Sequence, residues 1–357
     1  MTDLERSFIQ LVKLGIGTSN EASIPLQINW ESLMALAAKQ GLSAVVLDGI
    51  ERLAANQCPP KVLILQWIGE VLQSYENRFE LYRRAIAELA GFYNQHSLKM
   101  MLLKGYSCSI CWPKPEHRPC GDIDIWQFGH QKKADDLLIK EKGISVDTSE
   151  QHHTIFRWRG FMVENHYNFL DVYHHKSNAE MERLLKELGE DDTFSLELYG
   201  ERVCLPSPNL HALFLLRHMM SHFAATEITL RHVLDWAFFI EKNEKDVNWE
   251  WLKGILFNFG MIKIFNLINA ICIDDLGFSH SLFPEGDVDL EQKNKVFEEI
   301  VRPTNYGQVP SGVLMRIIWK YRRWRANAWK HELCYSDSMW SAFWSGVWGH
   351  LLKPRSI

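Results

Sequence analysis

Two aspartates one residue apart, Asp122 and Asp124 in the run Gly121-Asp122-Ile123-Asp124-Ile125, constrain this chain more than any other feature. Side chains in a strand alternate, so the two carboxylates point one way while Ile123 and Ile125 point the other. Like charges held that close repel, and burying them without a partner is unfavourable. A fold that keeps both must give the isoleucines a core and give the acidic face a cleft with a cation in it. Just upstream, Lys99-Met100-Met101-Leu102-Leu103 is a short apolar run that suits a buried strand. It ends at Lys104-Gly105, and Tyr106 to Trp112 reads as a short helix.

The rest of the chain divides around this segment. Residues 1–75 form a helical N-terminal region, 76–206 a mixed core and 207–357 a helical C-terminal region. In the first, Trp30, Leu33, Leu36, Ala37 and Leu47 recur at helical spacing, as do Val62, Leu65, Trp67, Ile68 and Leu72. One long helix is expected from about Ile64 to His96. In the core, a strand is expected at Gly121–Phe128, a helix at Lys132–Lys142, and a strand pair at Thr154–Trp158 and Phe161–Tyr167 around Arg159-Gly160. After Ser207-Pro208, with N-cap chemistry in Ser207, the pattern is helical again. The expected class is therefore helix-rich α+β, a small mixed sheet flanked by helices on both sides in sequence.

With 357 residues, 46% hydrophobic and 23% charged, the chain can bury a sizeable core. Its net charge of −5 disfavours nucleic acid as a partner drawn by bulk attraction. No apolar run spans a bilayer, and the first residues lack the basic-then-apolar pattern of a secretory signal. Seven scattered cysteines, an odd number, point to a reducing, cytoplasmic setting.

Asp122 and Asp124 suit a divalent cation, Mg²⁺ or Mn²⁺, shared with a nucleoside triphosphate. Glu164, with His166 on the same strand face, is the expected third acid. Gly105 allows close backbone approach to phosphate oxygens, and Lys104 and Ser107 flank it. These residues carry a resemblance. Leu103-Lys104-Gly105, a short helix, Arg118-x-x-Gly121-Asp122-Ile123-Asp124-Ile125 and Glu164-x-His166 resemble the uncharacterised bacterial nucleotidyltransferases. The core of that family is similar to those of DNA polymerase beta and the aminoglycoside nucleotidyltransferases. Trp30 to Gly41, the helix with His218 and His222, and Arg231 to Asp235 extend the likeness to about Ile240. The resemblance implies transfer of a nucleotidyl group from an NTP to an acceptor hydroxyl on a small molecule, a protein or RNA. It implies Asp122, Asp124 and Glu164 as catalytic metal ligands, with Lys104, Gly105, Ser107, Arg118 and His166 around the nucleotide. The chain departs from the wider superfamily at the first turn, where Tyr106 follows Gly105 and Ser107 comes one place late.

Other readings compete. The fold could persist in an inactive nucleotide-binding module, or the chain could be a helical interaction protein. Cys108, Cys111, His117 and Cys120 resemble a zinc knuckle superficially, but the two cysteines of the short helix have apolar neighbours and suit a core. His218 and His222, four apart on a helix, are expected to place one ring in the core and one in the cleft. Arg231 and Asp235 read as a helix ion pair, with Asp235 also able to orient a histidine. Lys320-Tyr321-Arg322-Arg323-Trp324-Arg325 and the apolar stretch Trp340–Leu352 suggest a nucleic-acid or membrane surface. The favoured reading is a C-terminal helix that packs its aromatics on the protein and turns its arginines to water.

Overall fold

Helix α1 (Asp3–Ile16) opens on a capping box: the Glu5 amide donates to Thr2 Oγ1, and the Thr2 amide donates to the Glu5 carboxylate. The computed structural model describes residues 1–340 apart from 26, 151, 173–174, 192 and 305–308. Helices α2 (Trp30–Lys39), α3 (Ser43–Ile50), α4 (Lys61–Val71) and α5 (Asn77–Gln95) complete the N-terminal stretch. The long helix expected from Ile64 is interrupted by a π-type turn at Leu72–Glu76. The wider turn changes the phase of the apolar stripe, so that Trp67, Tyr75, Phe79 and Tyr82 are buried. Of the stripe expected to face inward, Trp67 is buried, whereas Val62, Leu65, Ile68 and Leu72 are 42–69% exposed.

Strand β1 (Met101–Leu102) is followed by α6 (Tyr106–Ser109), β2 (Ile123–Trp126), α7 (Gln131–Leu137) and the hairpin β3 (His153–Trp158) and β4 (Phe161–His166). Helix α8 (Lys176–Asp191) leads to a second hairpin, β5 (Thr193–Leu198) and β6 (Glu201–Pro206), which the sequence reading does not anticipate. Both hairpins turn on residue pairs with positive φ, Arg159-Gly160 (50° and 86°) and Tyr199-Gly200 (50° and 82°), the backbone that a two-residue turn between twisted strands needs. The sheet is six-stranded and mixed, in the order β3-β4-β2-β1-β6-β5. β2 runs parallel to β4 and β1 parallel to β6, while the remaining neighbours are antiparallel.

Alternation divides the sheet into two faces. Leu102, Ile123, Ile125, Val163 and Val203 join a core with α5 and α7. Met101, Leu103, Trp126 and Cys204 join a larger core with both terminal helical stretches. On that side α9 (Pro208–Ala225) begins at Ser207, whose hydroxyl accepts from the Leu210 amide at 3.4 Å. It is followed by α10 (Leu230–Asn243), α11 (Trp249–Asn258), α12 (Ile262–Ala270), α13 (Leu290–Val301), α14 (Val313–Ala326) and α15 (Ala328–Cys334). One fully buried side chain joins three distant segments. Gln40 Nε2 donates to the carbonyls of Ile300 and Val301, both at 3.1 Å, and its Oε1 accepts from the Leu230 amide at 2.7 Å.

The architecture is helix-rich α+β, as expected. On α14 the tryptophans Trp319 and Trp324 are half-buried, whereas Met315, Ile317, Ile318 and Tyr321 are 42–59% exposed alongside its cations. Apart from Trp340, the stretch Trp340–Leu352 lies outside the described residues. Among the described residues no helix is long and apolar enough to cross a membrane.

Candidate functional site

The parallel pairing of β2 with β4 sets Asp124 opposite Glu164 and Trp126 opposite His166. Asp122 precedes Asp124 by one strand period, so all three carboxylates gather on the sheet face that looks toward α9. Asp124 is 2% exposed, while Asp122 and Glu164 are half-buried. Lys104 Nζ lies 3.0 Å from Asp124 Oδ1, and His166 Nε2 lies 3.2 Å from the same oxygen and 3.4 Å from Glu164 Oε2.

The charges sort the carboxyls. Burial raises the Asp122 carboxyl, and the negative charges of Glu164 and Asp124 push the same way. Burial acts on Asp124 too, but the Lys104 ammonium and His166 overcome it and hold that carboxyl far below its ordinary value. Burial works against a charged His166, yet its hydrogen bonds to Asp124 and Glu164 raise it. The site is therefore rich in negative charge, with one lysine and one imidazole set against three acids.

Gly105 fixes the turn that brings Lys104 in. Its φ of 68° and ψ of −105° suit glycine alone, and a Cβ there would run into the Tyr82 hydroxyl. That hydroxyl donates to the Asp122 carbonyl at 2.8 Å and so ties α5 to the head of β2.

Two residues expected at the nucleotide are held elsewhere. Ser107 is buried, with its hydroxyl 3.4 Å from His211 Nε2 on α9. Arg118 is 4% exposed and grips Asp235 on α10 with Nε at 2.7 Å and Nη2 at 3.0 Å, while Nη1 donates to the Pro119 carbonyl at 3.3 Å. Trp112 Nε1 adds a third bond to Asp235 at 2.9 Å. All three nitrogens of Arg118 are thus engaged, and these contacts anchor the loop before β2. Asp235 serves this clamp and orients no histidine through any hydrogen bond among the described residues. Arg231 Nη2 lies 3.1 Å from His232 Nε2.

On α9, His218 is half-buried with Nε2 3.3 Å from Lys104 Nζ, and His222 is exposed, their ring centroids 4.5 Å apart. Burial first, and then the Lys104 charge, lowers the His218 imidazole, which borders the acidic cluster with His222 on its solvent side. The zinc-knuckle residues disperse: His117 Nδ1 bonds Asp48 at 2.7 Å, Cys108 Sγ sits 3.8 Å from His211, and burial lifts the Cys111 and Cys120 thiols to about 11.

Sequence reasoning missed His152 and His153. The Arg159-Gly160 turn pairs Trp158 with Phe161, and counting outward puts His153 opposite His166. The signal was present in the turn, but the expected strand began one residue too late, at Thr154.

The model of a family described as an uncharacterised nucleotidyltransferase matches residues 27–272. No curated protein matches the chain. Among solved structures, the chain is similar to that of an antigenic nucleotidyltransferase-like protein from Paracoccidioides brasiliensis, at 13% identity and a TM-score of 0.34, over 49% of this chain and 85% of that one.

Proposed function

This chain belongs to the uncharacterised nucleotidyltransferase family, and from that premise we propose that it transfers an NMP group from an NTP to an acceptor hydroxyl at Asp122, Asp124 and Glu164. The observation that carries this reading is the in-register pairing of Asp124 with Glu164, with Asp122 one strand period ahead and Lys104 Nζ 3.0 Å from Asp124. The donor set fits a hard divalent cation, because it supplies three carboxylates, and the upward push of Glu164 and Asp124 on Asp122 is relieved by added positive charge. Bound there, Mg²⁺ or Mn²⁺ would supply the positive charge that neutralises the triphosphate and steadies the leaving pyrophosphate.

The protein's own groups do the rest. Lys104 adds a mobile positive charge for the phosphates, and Gly105 lets the backbone approach them without a side chain in the way. Glu164 takes the proton of the acceptor hydroxyl as its oxygen bonds to the α-phosphorus and the bond to pyrophosphate breaks, and His166 holds the Glu164 carboxylate in place. Ser107 and Arg118 support the turn and the loop from behind. The acceptor is a small molecule, a protein side chain or an RNA end, met in the cytoplasm.

The test is the Asp122→Asn, Asp124→Asn double variant, followed by Mg²⁺-dependent NTP binding in a calorimeter and by pyrophosphate release. Loss of both is expected, and retention of both at wild-type levels would sink the proposal. Incubating the wild type with each labelled NTP and a cell extract then identifies the acceptor as the labelled product absent with the variant.

A further inference from the structure

The acidic cluster has a nitrogen-rich flank. One ring nitrogen each from His152, His153 and His166 lie within 4.8 Å of one another, and so do single ligand atoms of Asp124, Glu164 and His166. The three rings form a triangle, with centroids 4.3 Å apart for His152 and His153, 5.1 Å for His153 and His166, and 5.7 Å for His152 and His166. Glu164 stands beside two of them, its Oε2 3.4 Å from His166 Nε2 and its Oε1 3.9 Å from His153 Nε2.

Two further observations point to a ligand. His153 is 7% exposed, and its Nδ1 is buried without any hydrogen-bond partner, which is unfavourable for an imidazole in a protein interior. His166 Nδ1 lies 3.2 Å from the Asn168 carbonyl oxygen. A carbonyl only accepts, so His166 Nδ1 donates to it, and this holds Nε2 toward the carboxylate oxygens of Asp124 and Glu164, at 3.2 and 3.4 Å. A backbone carbonyl behind a ring nitrogen is also the arrangement that orients metal-bound histidines.

We propose that His152, His153 and His166, with Glu164 as the nearest carboxylate, bind a borderline divalent transition-metal ion of the zinc class. Imidazole nitrogen suits such ions, whereas Mg²⁺ prefers an all-oxygen shell. A tetrahedral ion with bonds of ~2.0–2.1 Å needs donors roughly 3.3–3.4 Å apart. The Glu164–His166 pair already has that spacing at 3.4 Å, and His153 Nε2 stands 3.9 Å from the other Glu164 oxygen. This site stands beside the Asp122–Asp124 pair and shares the strand face with it. Its binding chemistry does not require nucleotide turnover.

The experiment uses the metal alone. The full-length protein is stripped with a chelator and titrated with Zn²⁺ in the presence and absence of excess Mg²⁺, with no nucleotide present. One equivalent of Zn²⁺ is expected to bind and to resist displacement by Mg²⁺. X-ray absorption on the wild-type zinc complex should count three imidazole ligands. The His152→Ala, His153→Ala double variant should lose more than ~100-fold in zinc affinity, a larger drop than loss of an outer-shell partner produces, with circular dichroism monitoring its fold. No tight zinc binding, a zinc shell without imidazoles, or unchanged affinity in a folded double variant would each overturn the proposal. The wild-type absorption measurement decides the question even if the variant does not fold. Because no NTP is used, a negative result here leaves the nucleotidyl-transfer reading standing, and the converse also holds.

Discussion

An Asp235→Asn variant removes one negative charge from the buried clamp that holds the loop before β2, with little change in side-chain volume. Arg118 and Asp235 are 4% and 6% exposed, and their two bonds are 2.7 and 3.0 Å long. At an effective dielectric of about 20, charges that close attract by ~6 kcal/mol. Much of this offsets the desolvation of the pair, so its net contribution is small. Removing only the carboxylate charge is different, because the guanidinium stays buried and uncompensated. Arg231 makes matters worse, since its own charge is already disfavoured by burial and by the neighbouring Arg118. The expected loss is about 3–5 kcal/mol, the range seen when one partner of a buried pair is removed. Urea unfolding at pH 7 reads it directly. The Arg118→Met, Asp235→Leu double variant removes both charges together and should recover most of the loss. A loss below about 1 kcal/mol in Asp235→Asn, the usual scale of an exposed pair, would refute the clamp. NTP affinity of the double variant gives a second check. If Arg118 only anchors the loop, affinity stays near wild type, whereas a large drop in a stable double variant would return Arg118 to the phosphates.

Gly105→Ala should lower stability by about 1–3 kcal/mol, since it places a Cβ against the Tyr82 hydroxyl in backbone that other residues resist; a melting temperature equal to wild type would contradict the turn geometry. Glu5 titrates at about 2 in place of its ordinary 4.5, mainly because Arg302 bonds it. Because the folded value is the lower one, its stabilisation is complete above pH 4.5 and is lost as pH falls toward 2. A Glu5→Gln variant should therefore show a shallower acid limb in Tm against pH, and identical limbs would argue against the pairing.

The acidic pair was legible because strand alternation is strict, and Asp122 and Asp124 needed only that rule to share a face. The parallel pairing that sets Asp124 directly opposite Glu164 was not legible, since it depends on the path between two strands and not on either strand alone. His152 and His153 could have been reached by counting back from Arg159-Gly160. The hairpin at Tyr199-Gly200 carried the same kind of turn and went unread. The π-type turn at Leu72–Glu76 leaves no mark on composition, because the apolar spacing runs through it unbroken. Arg118 and Asp235 lie 117 positions apart, so the partner of a buried guanidinium had to come from the fold. On α14 the apolar residues suggested burial, but hydrophobicity alone does not say whether a surface is available to cover them.

Gln40 has a consequence for how the molecule comes into being. Its carboxamide donates to a carbonyl 260 positions further along the chain. At roughly 5–20 residues per second, that partner leaves the ribosome about 13–50 seconds after Gln40 does. For that interval the N-terminal helices exist with the amide wetted and the seam beneath it open, and they close only once Ile300 and Val301 have emerged. A nascent chain stalled short of Ile300 would carry an exposed, unfinished edge at this place, a natural mark for chaperones to hold.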